Sequence, residues 1–263
     1  SEIIQGKMEL DGVKLYLNRK VTEIKEKSNS GEVSSVKLDD DTVIPCQIVV
    51  VATGIRPNVG FLQNTPLKID QGIIVNEYLE TSVPNIYAAG DVAQPHDIIH
   101  DKNSVMANLP NASEQGRIAG ANLAGQQISY HGGLSMTVMR YFGIPFVSMG
   151  ELSKLTPKQE EISVLNQDMS IYRKLVMLNT RPIGAVIVGD IDQAGIINHL
   201  IHNKIDIPNP QDLLERKIKF ETFRKNLMKE EMEGKIQWKK TIGREEPWRK
   251  DRAKIPVTKD KLS

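Results

Sequence analysis

Cysteine, glycine-rich loops and long apolar runs are what these 263 residues lack. The single cysteine, Cys46, can form neither an internal disulfide nor a CxxC redox pair. It precedes an apolar stretch and reads as a buried structural thiol. No G-x-G-x-x-G segment occurs: Gly116 and Gly120 fall inside a helical stretch with the wrong spacing, and Gly132-Gly133 follows no strand. Such a loop cradles a pyrophosphate on a helix N-terminus, so the chain carries no complete dinucleotide cradle of its own. No apolar run reaches the roughly 18 residues of a membrane span. Net charge is only +1, and no global field points to nucleic acid or a membrane surface. With one thiol and no span, the cytoplasm is the expected compartment.

The length fits one large domain or two ordinary ones. Residues 2–10, with Ile3, Ile4, Met8 and Leu10, read as a helix ended by Asp11-Gly12. Residues 13–17, 20–27 and 32–38 read as strands of a meander. Residues 48–52 are continuously apolar and rich in β-branched side chains, which predicts a strand buried on both faces and ending at Thr53-Gly54. Short strands are expected at 72–76 and 85–91, the second carrying Gly90-Asp91 at its tip. A helix over 111–124 is opened by Pro110 and closed by Gly125. Its residues Ala112, Gly116, Ala119, Gly120, Ala121 and Ala124 are all small. Each helical glycine costs about 1 kcal/mol relative to alanine. Two explanations stay open: tight helix–sheet packing, or a planar ligand close to the helix N-terminus.

From residue 129 the pattern changes to an α+β module. Strands are expected at 146–149, 172–178 and 183–188, with Arg181-Pro182 in a turn, followed by an amphipathic helix over 192–203. Pro208-Asn209-Pro210 marks a boundary. Residues 211–232 then read as a charged helix with a stripe of Leu213, Leu214, Ile218, Phe220, Phe223 and Leu227. Phe220, Phe223, Trp238 and Trp248, set among charges, read as anchors for docking on another surface.

Two of these segments carry a family resemblance. Val49-Val50-Val51-Ala52-Thr53-Gly54-Ile55-Arg56-Pro57-Asn58 is similar to the "ATG" strand and loop of the two-dinucleotide-binding-domain flavoproteins. Thr81-Ser82-Val83-Pro84-Asn85-Ile86-Tyr87-Ala88-Ala89-Gly90-Asp91-Val92-Ala93 resembles their second flavin motif, in the same order and spacing. Asn111-Ala112-Ser113-Glu114-Gln115-Gly116-Arg117 resembles the helix that follows in NADH oxidases, coenzyme A disulfide reductases and nitrite-reductase-type enzymes. Residues 172–190 resemble their C-terminal interface domain. The resemblance covers roughly residues 1–207 and leaves out the tail.

The resemblance implies an α/β chain that forms part of a two-dinucleotide-binding-domain flavoprotein fold. Residues 1–56 would be a partial NAD(P)-binding domain and 57–130 the returning segment of an FAD-binding domain. Residues 131–208 would be an α+β interface and dimerisation domain, and 209–263 a charged helical tail. Asp91 would accept a hydrogen bond from the flavin ribityl chain, with Gly90 admitting the cofactor to the backbone. The helix starting near Asn111 and Ala112 would aim its N-terminus at the flavin ring. Thr53 and Gly54 would sit where the two nucleotide domains meet. The implied cofactors are FAD and NAD(P)H, with electrons passing to an acceptor such as oxygen, a small redox protein or another active site. Both family glycine loops lie upstream of the matched segments. The chain is therefore expected to be an inactive fragment or subunit that needs an N-terminal half or complementary subunit, and to form a homodimer through 131–208. A non-catalytic assembly module is the alternative.

The remaining candidates have weaker support. His199 and His202 lack the neighbours of the glutathione-reductase-type His–Glu pair and read as surface residues. His96, Asp97 and His100 read as a solvated loop. No metal site is expected.

Overall fold

A computed structural model of the chain describes residues 2–28 and 30–217. The aromatic anchors at 220, 223, 238 and 248, and the expected helix beyond 217, lie outside those residues. Helix α1 (Glu2–Leu10) buries no residue, and Leu10 is 83% exposed. It stops at Gly12, whose φ of 85° suits glycine. The expected strand over 13–17 is absent. The chain turns at Leu17-Asn18, with Asn18 at φ 56°, and among the described residues the exposed Tyr16 and Leu17 find no partner strand. The other two expected strands form as β1 (Val21–Glu26) and β2 (Val33–Leu38), and an unexpected β3 (Val43–Pro45) completes an antiparallel meander in that order. Cys46 is half-buried rather than buried.

The largest departure is at 48–52. No strand forms there, and Ile48, Val50 and Val51 are 80%, 83% and 71% exposed. A strand apolar on both faces needs hydrogen-bonding neighbours and a covering layer on each side. Among the described residues none pairs with it.

The next elements are short. The strand expected at 72–76 shrinks to β4 (Ile73–Ile74), which pairs in parallel with β5 (Ala93–Gln94). Residues 85–91 are not a strand. Asn85 takes φ 63°, Tyr87 makes only an isolated bridge with Glu80, and Gly90–Val92 closes into a 3₁₀ turn. β6 (His96–Asp97) and β7 (Lys102–Asn103) form a small antiparallel pair. Helix α2 (Leu109–Leu123) lies against the Gly90–Val92 turn. Ile73, Val75, Leu79, Ala88, Ala93, Ile118, Ala119 and Tyr130 form their common core.

The α+β module is a five-stranded antiparallel sheet in the order β10-β11-β12-β9-β8. Its strands are β8 (Met136–Tyr141), β9 (Ile144–Gly150), β10 (Gln159–Asn166), β11 (Ile171–Leu178) and β12 (Arg181–Val188). Three of these were legible as apolar runs. Arg181 and Pro182 belong to β12 rather than to the turn, which tightens to Asn179 and Thr180. The edge strands β8 and β10 escaped notice because most of their side chains are exposed. Helix α3 (Ala194–His202) packs Ile196, Ile197, Leu200 and Ile201 toward β12 and β9. Helix α4 (Gln211–Leu214) covers β10 and β11 with the fully buried Leu213 and Leu214. It ends at Leu214 instead of running on, because Arg216 turns to φ 59°. Arg173 ties that end to the sheet, donating to the Leu214 carbonyl at 2.9 Å and pairing with Asp190, which also pairs with Arg216. No described helix is long and apolar enough to cross a membrane.

Glycine permits the closest approach in the module. A methyl group on Gly184 would collide with the Glu151 backbone, so Gly184→Ala must push β12 from the end of β9. The expected loss is about 1–3 kcal/mol in urea unfolding. Gly195 in α3 faces open space, and Gly195→Ala should instead stabilise by about 0.4–1 kcal/mol. Equal midpoints for the two variants would contradict this packing.

Candidate functional site

The site is centred on the turn at Gly90 and the start of α2. Gly90 has φ 80°, a conformation that costs an L side chain its usual freedom. A Cβ placed there would meet only the Ala112 methyl, at 3.7 Å, so the turn is open on its outer side. Asp91 is exposed beside it. Inside, the Gly90 N–H donates to Oε1 of Gln115 at 2.8 Å. Gln115 is 1% exposed, and its Nε2 reaches the Tyr130 hydroxyl at 3.5 Å. Tyr130 is itself buried, and burial pushes its phenol up to about 12.

Helix α2 begins at Leu109, two residues before the expected 111, with Pro110 in its first turn. Asn108 is the N-cap and its side chain accepts the Asn111 N–H at 2.9 Å, while its carbonyl accepts the Ala112 N–H at 3.0 Å. The two N–H groups expected to face a flavin are therefore engaged within the helix start. The Asn111 side chain points inward and donates to the carbonyls of Met106 and Leu134, both at 3.1 Å. What α2 offers outward is the small side chain of Ala112. Gly116 and Gly120 face open space, so they are not there for tight packing against a sheet. The buried face of α2 is instead partly polar: Asn111, Gln115 and Asn122 alternate with Ile118 and Ala119.

Thr53 and Gly54 lie on the exposed loop after residues 48–52. Gly54 has φ 105° and nothing within 4 Å of a Cβ built on it, so the structure does not gather this pair around Gly90.

A second cluster was read from sequence as a solvated loop and is more than that. Asp97 is 5% exposed and caps the N–H groups of Ile99 and His100. Nδ1 of His100 lies 2.8 Å from Asp97, and Nε2 lies 3.3 Å from Glu151, which is also buried and caps Leu152 and Ser153. The Asp-x-x-His spacing was the available signal; Glu151 was invisible without the fold. Hydrogen bonding to Asp97, reinforced by Glu151, raises the His100 pKa against the opposing effect of burial. His199 and His202 sit in the last turn of α3 and are half-buried rather than on the surface; burial lowers both. Among the described residues, no group of three or more His, Cys, Asp or Glu could hold a metal ion.

The mixed helix-and-sheet architecture is that of the two-dinucleotide-domain flavoprotein reductases. A ferredoxin reductase from Rhodopseudomonas palustris superposes with a TM-score of 0.72 at 21% identity, over 85% of this chain and 54% of that one. A putidaredoxin reductase in covalent complex with putidaredoxin gives 0.72 at 20%, over 86% and 54%. Residues 1–116 match the model for pyridine nucleotide-disulphide oxidoreductase, and residues 136–205 match that for the rubredoxin NAD+ reductase C-terminal domain. Over these segments the chain belongs to the pyridine nucleotide-disulphide oxidoreductase family. A nitrite reductase [NAD(P)H] of Bacillus subtilis is 28% identical over 78% of this chain and 24% of its own length. An NADH-rubredoxin oxidoreductase of Clostridium acetobutylicum is 30% identical over 72% of this chain and 43% of its own length. The chain thus spans less than half of these curated relatives.

Two outcomes follow from this geometry. Asn108→Ala removes the cap and should cost about 1 kcal/mol in thermal or urea unfolding. His100 has a folded pKa above its unfolded value of about 6.5, so its contribution is full below about pH 6.5 and fades as pH rises through the folded value. The stability gap between the wild type and His100→Gln should therefore narrow as pH rises above about 6.5. A gap that widened over that range would show that the imidazolium does not bind the carboxylates.

Proposed function

We propose that this chain supplies the flavin-motif segment, the late part of the nucleotide domain and the interface domain of an NAD(P)H-dependent FAD oxidoreductase. Residues 1–56, 57–130 and 131–208 would correspond to those three parts. The carrying observation is the Gly90-Asp91 turn: backbone in a glycine conformation, open outward, with an exposed carboxylate at its tip. This fits a polyol or ribityl hydroxyl, which needs an acceptor at close backbone range. Ala112 leaves room beside it. FAD, when bound, supplies the two-electron chemistry; the chain's own residues would orient it and hold charge near it. Asp91 would accept the hydroxyl, and Thr53-Gly54 would line the junction with the nucleotide domain.

The exposed Ile48, Val50, Val51, Ile55 and Phe61 support the second part of the proposal. Residues 48–52 would pair as a strand within a polypeptide bearing the glycine-rich loops, whether that is covalently continuous or a separate subunit. Alone, the chain would not turn over NAD(P)H. The names of its relatives favour a small redox protein as acceptor, because one is an NADH-rubredoxin oxidoreductase and a structural neighbour was captured with putidaredoxin. The interface sheet would carry a homodimer contact. An assembly module without catalysis is the competing reading, and it makes no demand on Asp91.

The test is flavin content of the complete gene product by visible absorption, with and without Asp91→Ala. A yellow protein whose FAD affinity falls roughly 10- to 100-fold in the variant is expected, the range for losing a hydrogen bond to a charged acceptor. A colourless complete product would leave the assembly module.

A further inference from the structure

We propose that Gln115 is a positioning residue for the Gly90-Asp91 turn, fixing from inside the protein the backbone that presents Asp91 outside. The proposal rests on the flavin reading for its ligand and on geometry alone for its coupling. Gln115 is 1% exposed in the middle of α2, where an apolar side chain would be the ordinary choice. Its amide oxygen accepts the Gly90 N–H at 2.8 Å, a donor that sits at the first residue of a 3₁₀ turn and has no strand to pair with. Its amide nitrogen faces Tyr130. Tyr130 is in turn held by its own backbone N–H on the Glu77 carbonyl at 2.6 Å. A methyl group on Gly133 would come within 2.5 Å of the Tyr130 hydroxyl, so that side is closed as well. The Gln115 amide therefore has its orientation set from both ends. The oxygen must face Gly90, because a backbone N–H only donates, and the NH2 faces the hydroxyl.

The consequence concerns preorganisation. With φ at 80°, Gly90 has many alternative conformations, and each would move the Asp91 carboxylate. One buried acceptor on its N–H selects one of them. Leaving that N–H buried without a partner would favour reopening of the turn toward water. Gln115 is buried and its given hydrogen bonds go to Gly90 and Tyr130, so its effect on a ligand would be carried through Gly90.

Two variants separate this from ordinary packing. Gln115→Met keeps the volume and removes the acceptor. Gln115→Glu keeps an acceptor for Gly90 and lets the Tyr130 hydroxyl become the donor. Ile118→Val serves as a core control on the same helix. In the 263-residue chain, the Gly90 amide should exchange with deuterium roughly tenfold faster in Gln115→Met than in wild type or Gln115→Glu. Ile118→Val should leave it unchanged. In the complete gene product, FAD titrated by fluorescence quenching should bind roughly tenfold more weakly to Gln115→Met, with affinity recovered in Gln115→Glu. Unchanged Gly90 exchange in Gln115→Met would overturn the proposal. So would equal loss of FAD affinity in all three variants, which would reduce Gln115 to packing. If the wild type takes up no FAD, the flavin reading fails while the exchange comparison still decides whether Gln115 governs the turn.

Discussion

A strand needs neighbours, and this requirement divides the molecule. Each interior strand of the β8–β12 sheet has two partners, so its apolar side chains reach a core: Leu175 and Val176 in β11 and Ala185 in β12 are fully buried. Residues 48–52 are as apolar as β12, yet among the described residues they have no partner and stay in the open. The same composition gives opposite outcomes because a backbone row of N–H and C=O groups is buried only when it is paired.

The second organising feature is a run of amides, buried at Asn111, Gln115 and Asn122 and half-buried at Asn108. Asn108, Asn111, Gln115 and Asn122 each bind backbone groups of neighbouring loops: the Leu134, Met106 and Ile128 carbonyls and the Gly90 and Ile128 N–H groups. Loops have few ladder hydrogen bonds, and these side chains replace them. The arrangement explains why α2 looks wrong for an amphipathic helix. Its inner face is built partly to satisfy loop backbone, while Gly116 and Gly120 face open space. The helix also shows a limit on its own dipole, since Asn108 already occupies the N–H groups that a ligand would otherwise have met.

The Asp97–His100–Glu151 cluster joins the loop after the Gly90–Val92 turn to the end of β9. When protonated, this one imidazole between two buried carboxylates makes a charge-assisted link, stronger than a neutral hydrogen bond. It connects the two segments that match separate family models, 1–116 and 136–205, through a titratable group.

The sequence by itself determined two strands of the meander, the interior strands of the α+β module, a helix close to the observed Leu109–Leu123 and the Gly90-Asp91 pair. Each of these is written in local periodicity, in a Gly-Asp pair or in a proline near a helix start, all of which act over a few residues. Only the tertiary structure decided which apolar run is a strand, because pairing depends on distant partners. It also set the inward turn of Asn111, the grip of Gln115 on Gly90, the end of α4 at Leu214 and the partnership of Glu151 with His100. Those contacts link residues 25 or more positions apart in the case of Gln115 with Gly90 and of Glu151 with His100. No local pattern encodes a contact whose energy exists only once the chain has folded back on itself.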